Sequence, residues 1–204
     1  MRDLEIRGAG NILGTTQHGH MEAVGYDLYC KMLNEAVKNL RGIETREDYP
    51  TLVDIDVNAY IPPDYIMNEV QKLEIYKRIA GVETQAECDD MTEELLDRFG
   101  EVPRSAANLM RISLLRVEAH RLYITELKGR NEHIVVQMYP TAPVLVEKIP
   151  EFLHRYGNRI TMNTKGAPQF ILRYDKAGIV EKDEEILMST IRELLDTMKI
   201  LYED

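Results

Sequence analysis

Four glycines, Gly8, Gly10, Gly14 and Gly19, fall within twelve residues near the start of the chain, a density that favours a loop of close backbone turns. Gly8 to Gly14 superficially resembles a dinucleotide loop, but its spacing is GxGxxxG and no strand precedes it. The chain contains no GxxxxGK[ST] sequence, so it has no phosphate-cradling loop and alone should not hydrolyse ATP. Gln17-His18-Gly19-His20 puts two histidines two residues apart, near Glu22. A metal site needs a third ligand, Cys30 is poorly placed for it, and His18 and His20 read as loop histidines in water. Asp89-Asp90 with Glu93-Glu94, and Asp183-Glu184-Glu185, are rich in carboxylates. They sit at expected helix starts or solvent faces, where the macrodipole favours them, and no apolar pocket separates their pKa values for acid–base work. No Ser-His-Asp or Cys-His grouping is legible, so no catalytic residue is assigned. Arg2 and Arg7 flank an apolar-acidic strip, and the glycine loop then delivers Gln17. Two readings stand side by side. An arginine and a glutamine across such a loop suit a nucleotide-driven element or a phosphate backbone. Alternatively, Arg2 or Arg7 simply pairs on the surface with Asp3 or Glu5, which contributes little.

The elements that must hold these residues follow from periodicity. A helix is expected from Gly25 to Arg41, with Tyr26, Tyr29, Met32, Leu33, Val37 and Leu40 on one face and Gly42 as C-cap. Its apolar face needs a cover, either this domain or a second copy of the chain, so an oligomer of the isolated chain is one expectation. The charged stretch Ile43 to Pro50 reads as a boundary, dividing residues 1–48 from residues 49–204. Leu52 to Tyr60 alternates as a half-buried strand and ends at Pro62-Pro63. Three helices follow, Asn68–Ala80, one from Thr84 to Phe99-Gly100 with Glu87 completing a capping box, and a broadly apolar Ser105–Leu122. Strands Ile124–Lys128 and His133–Tyr139 flank a turn at Gly129-Arg130-Asn131. A helix Val144–Tyr156 is entered through Pro143. Strands Arg159–Asn163 and Gln169–Tyr174 flank Lys165 to Pro168, and a closing helix spans Lys182 to Tyr202. The expected fold is α+β: an N-terminal loop-plus-helix appendage, then a compact domain of grouped helices and short, mostly antiparallel strands.

Composition narrows the function classes. The 204 residues carry 35 Asp+Glu against 25 Lys+Arg, a net charge of −10, which argues against DNA binding over a broad basic surface. With 44% apolar and 29% charged residues the composition is that of a soluble globular protein able to bury a core without staples. No run approaches the roughly 18 apolar residues of a membrane span, so no membrane contact is expected. The start resembles no signal peptide, and Cys30 and Cys88 stand far apart, as reduced thiols of a cytoplasmic protein do. Dense, glycine-broken sequence directly after Met1 reads as a cut through a longer polypeptide. Residues 181–204 hold eight acidic and three basic side chains, a net −5, which either selects a basic partner or is a solvated face.

Arg2 to Gly14, Gln17-His18-Gly19-His20 and Val24 to Tyr29 together closely resemble the translocation motif of bacterial transcription-repair coupling factors. The fork-remodelling helicase RecG shares the first half of that motif. The continuation Gly25-Tyr26-Asp27-Leu28-Tyr29 into a helix favours the coupling factors, as do Leu73 to Ala80, Leu95 to Gly100 and Pro103, which resemble the start of their C-terminal domain, a domain RecG lacks. The resemblance implies that Arg7 and Gln17, and less directly Arg2, couple ATP hydrolysis to movement along duplex DNA. ATP and Mg²⁺ sites, and contacts with RNA polymerase and duplex DNA, would then belong to upstream domains. It further implies that residues 49–204 regulate the intact protein by packing on an N-terminal damage-recruitment module and masking the surface that binds the excision-repair protein UvrA. A free-standing nucleic-acid-binding module and a RecG-type fragment are the alternatives.

Overall fold

A computed structural model describes residues 49–202. Arg2, Arg7, Gln17, His18, His20 and Cys30, with the helix expected at Gly25–Arg41, lie outside the described residues. Within them, five strands form one sheet in the order β1-β2-β3-β5-β4: β1 Leu52–Ile55, β2 Ile124–Arg130, β3 His133–Met138, β4 Ile160–Asn163 and β5 Gln169–Arg173. β1 runs parallel to β2, and the other three pairings are antiparallel, as expected. Register explains why one face is apolar. Val53, Leu127, Val136 and Phe170 line up across four strands, and Ile55, Gly129, Ile134, Leu172 and Ile160 line up beside them. The residues between, such as Asp54, Lys128, Ile171 and Thr161, point to the opposite, more exposed face.

Five helices accompany the sheet: α1 Glu69–Ala80, α2 Gln85–Phe99, α3 Arg104–Arg121, α4 Ile149–Tyr156 and α5 Val180–Met198. α3 is the central one. Leu109, Ile112, Leu115 and Ala119 are essentially inaccessible, in a core shared with Ile75 and Ile79 of α1 and Ile191 and Leu194 of α5. Two buried polar side chains on α3 are spent on neighbours. Ser113 Oγ donates to the Ile79 carbonyl at 2.9 Å, and Asn108 Nδ2 to the Asn58 carbonyl at 2.9 Å. α4 seals the far end of the sheet, with Phe152 edge-on to Phe170 at 5.1 Å.

Four expected boundaries move. The first strand stops at Ile55 rather than Tyr60, because the Val57 N–H turns back to the Ile55 carbonyl at 2.9 Å and leaves the ladder. Ala59 and Ile61 stay buried without being strand, so the alternation there records burial alone. The hairpin turn lies at Asn131-Glu132, with φ of 51° and 64°, not at Gly129 to Asn131. Gly129 belongs to β2 because a Cβ there would lie 2.8 Å from Leu187 Cδ1. α4 begins at Ile149 after a 3-10 turn at Val146–Lys148, not at Val144; Pro150 sits in its first turn, where a missing N–H is harmless. The closing helix starts at Val180, and a 3-10 turn, Lys199–Tyr202, continues beyond Met198.

Candidate interaction surface

α1 and α2 start from strong local signals. Asn68 Oδ1 accepts from the Val70 and Gln71 N–H groups at 3.0 and 3.1 Å. Thr84 Oγ1 accepts from the Glu87 N–H at 3.2 Å, while the Glu87 carboxylate accepts from the Thr84 and Glu83 N–H groups at 3.1 and 2.8 Å. Those backbone donors hold the Glu87 carboxyl below the ordinary carboxylate range. The two helices are then riveted on their outer side. Arg78 grips both Glu94 oxygens, and Arg98, one turn on, donates to Oε1 at 2.6 Å. These hydrogen bonds, chiefly that from Arg78, push the Glu94 carboxyl down to about 2. At the other end, the Tyr65 hydroxyl lies 3.1 Å from both the Leu95 and Gly100 carbonyls. That tie fixes the segment before α1 to the C-terminal end of α2.

The same region leaves four apolar side chains in water. Met67 is 84% exposed, Val70 77%, Leu96 53% and Leu73 40%. Val70 and Leu73, three residues apart, share one side of α1, and Met67 lies just before its N-cap Asn68. The apolar residues of α1 divide: Ile75, Tyr76, Ile79 and Ala80 are buried, while Val70 looks outward. At about 100° per residue, Val70 lies roughly 150° from the middle of that buried arc, which is the signal by which the sequence exposes it.

The acidic end of the chain is differently disposed. The Glu184 side chain is buried, and its Oε1 accepts from the Asn58 backbone N–H at 2.9 Å and from Asn58 Nδ2 at 2.5 Å. Arg104 reaches Glu184 at 3.4 Å and Glu181 at 3.7 Å, and Arg111 holds both oxygens of Glu185 at 2.8 Å. The Arg111 hydrogen bonds draw the Glu185 carboxyl below its usual value. Asp183 accepts from the Ala177 and Gly178 N–H groups at 2.6 and 3.1 Å. The start of α5 therefore binds α3 and the segment after β1, with Glu184 buried in the contact and Glu181 and Glu185 paired at its exposed edge.

A cleft of about 820 Å³ lies between the end of β1, the β2–β3 turn and the start of α5. Asp54, Asp56, Asp183 and Glu184 line it, but Arg130 pairs with Asp54 at 2.5 Å and Lys176 approaches Asp56 at 3.9 Å. With its carboxylates committed to neighbours and no histidine or cysteine in the lining, the cleft is a structural seam rather than an acid–base pair. Among the described residues no three His, Cys, Asp or Glu side chains come together to hold a metal. Nor is any described helix long and apolar enough to cross a membrane.

Known proteins share this arrangement. The family model for the TRCF domain matches residues 55–149. A transcription-repair-coupling factor of Staphylococcus haemolyticus is 36% identical over 203 residues, 98% of this chain and 16% of that protein. One of Bacillus subtilis is 32% identical over 202 residues, 98% of this chain and 17% of that protein. The chain thus spans about a sixth of the length of these relatives. Among solved structures, the crystal structure of a C-terminal domain of transcription-repair coupling factor superposes with a TM-score of 0.57 at 21% identity, covering 76% of this chain and 97% of that one. At that identity the superposition speaks for the fold.

Proposed function

The chain belongs to the transcription-repair coupling factor family, and we propose that residues 49–204 are a regulatory docking domain of such a protein. In this reading the domain packs on an N-terminal damage-recruitment module and covers the surface that binds UvrA. The observation that carries it is the exposure of Met67, Val70, Leu73 and Leu96 on and beside α1 and α2, two helices tied together by the Arg78–Glu94 ion pair. A lone exposed apolar side chain is ordinary, but four on one pair of linked helices are what a protein interface uses. Steric occlusion then acts as an equilibrium set by the difference in contacts between the closed and open protein.

The rest of the activity falls to upstream parts of the protein. In this reading ATP and Mg²⁺ bind those upstream parts, in keeping with a sequence here that has no GxxxxGK[ST] phosphate loop. The motor that displaces stalled RNA polymerase along duplex DNA lies in those parts, and Arg7, Gln17 and Arg2 are the positions that couple it. The docking reading is tested by removing residues 49–204 from the intact protein and measuring UvrA binding. Affinity should rise; unchanged affinity overturns the masking role.

A further inference from the structure

Tyr49 is the first described residue, three positions before β1, and its side chain is engaged on several sides. The ring stacks on His120 at 4.6 Å and on Tyr139 at 4.7 Å, with Tyr123 at 6.1 Å. The hydroxyl donates to the His120 carbonyl at 2.5 Å. That carbonyl belongs to the last turn of α3, where backbone acceptors run out of intrahelical donors. A second tyrosine serves the same helix end from the other extreme of the domain. Tyr202 donates to the Leu122 carbonyl at 2.6 Å, and its ring stacks on Tyr123 at 5.9 Å. Burial, with the nearby Tyr49 and Tyr123 hydroxyls, raises the Tyr202 phenol well above its ordinary value, so it remains a donor.

The seat for Tyr49 is itself fixed. Thr51 Oγ1 donates to the Ile124 carbonyl at 2.7 Å, so its 3.0 Å contact with His120 Nδ1 requires the hydrogen on that nitrogen. The imidazole is thereby held in one tautomer and one orientation beneath the Tyr49 ring. Tyr123 adopts φ of 57°, left-handed and unusual for a tyrosine, and its carbonyl accepts the Tyr139 N–H at 2.7 Å. Tyr49, Tyr123 and Tyr202 thus form one aromatic run joining both ends of the domain at the carbonyl end of α3.

We propose that Tyr49 is a latch that couples displacement of the upstream segment to the C-terminal turn of the domain. Pulling on residues 1–48 withdraws the half-buried Tyr49 ring from the run. The α3 end then loses one cap, Tyr123 loses a neighbour, and the Lys199–Tyr202 turn loses support through Tyr202. Its role in unmasking rests on the regulatory reading above; the latch itself is a property of this chain.

The test is amide hydrogen exchange on the full 204-residue chain, comparing Tyr49→Ala and Tyr49→Phe with the parent. A ring stack and a hydrogen bond each shift a local opening equilibrium by up to about ten-fold. Tyr49→Ala should accelerate exchange at Leu122 to Ile124 and at Ile200 to Tyr202 by at least about ten-fold, leaving α1 and α2 unchanged. Tyr49→Phe, which keeps the stack, should give a smaller change at the same amides. No change at Ile200 to Tyr202 overturns the latch, and so does uniform acceleration across all helices. Binding of UvrA to the intact protein carrying Tyr49→Ala is the separate arm. If the amides respond and UvrA binding does not rise, the latch stands and the masking reading falls.

Discussion

Glu94 lies between two guanidinium groups, and that placement turns its ionisation into a stability term. Its folded pKa, about 2, is below the ordinary carboxylate value, so the contribution is complete above roughly pH 4.5 and disappears as pH falls toward 2. Solvent screening at a partly exposed site limits the effect, and Glu94→Gln should cost about 1 kcal/mol at neutral pH. Urea titrations from pH 7 to pH 2.5 should show the parent and the variant converging at the acid end; parallel curves would contradict the assignment. Arg7 and Gln17 carry the other prediction at this scale. Replacing either in the intact protein should leave ATP hydrolysis in place and abolish DNA displacement, and normal translocation by both variants would remove their coupling role. These residues were legible in the sequence as a motif. Glu94 was legible only as one of several carboxylates, because Arg78 reaches it from a different helix.

Local signals fixed the elements that depend on neighbours in the chain, and long-range packing fixed the remainder. The Thr84–Glu87 capping box was readable because both partners lie within one turn. The hairpin turn was not, since Gly129 looks like a turn residue until Leu187 of α5 is seen against it. Gly129→Ala puts a methyl group 2.8 Å from Leu187 Cδ1 and 3.1 Å from Ile55 Cγ2. The leucine end can give way in part, so a loss of about 1–2 kcal/mol is expected by denaturant titration. A neutral substitution would mean that the contact between α5 and the sheet is looser than described. The same lesson applies to α5's acidity. Its first-turn carboxylates look free along the sequence, yet Arg104 and Arg111 on α3 and Asn58 after β1 absorb them.

For the whole molecule, a docking surface differs from a core in what substitution does to it. Val70→Asp combined with Leu96→Asp should leave the melting temperature of the chain within about a degree or two, because exposed positions contribute little to folding. In the intact protein the same pair should raise UvrA binding as deletion of residues 49–204 does. A large fall in melting temperature, or unaltered UvrA binding, would count against the surface proposed here. The parallel pairing of β1 with β2 has a consequence in time rather than space. Leu52 meets Glu126 only after about seventy intervening residues, which include α1, α2 and α3, have been made and gathered in. On the ribosome β1 must wait, unpaired, while its partner is still being synthesised. β1, the edge strand that begins three residues after Tyr49, therefore cannot join the sheet before β2 exists, and of the five strands it lies nearest in the chain to any load from upstream.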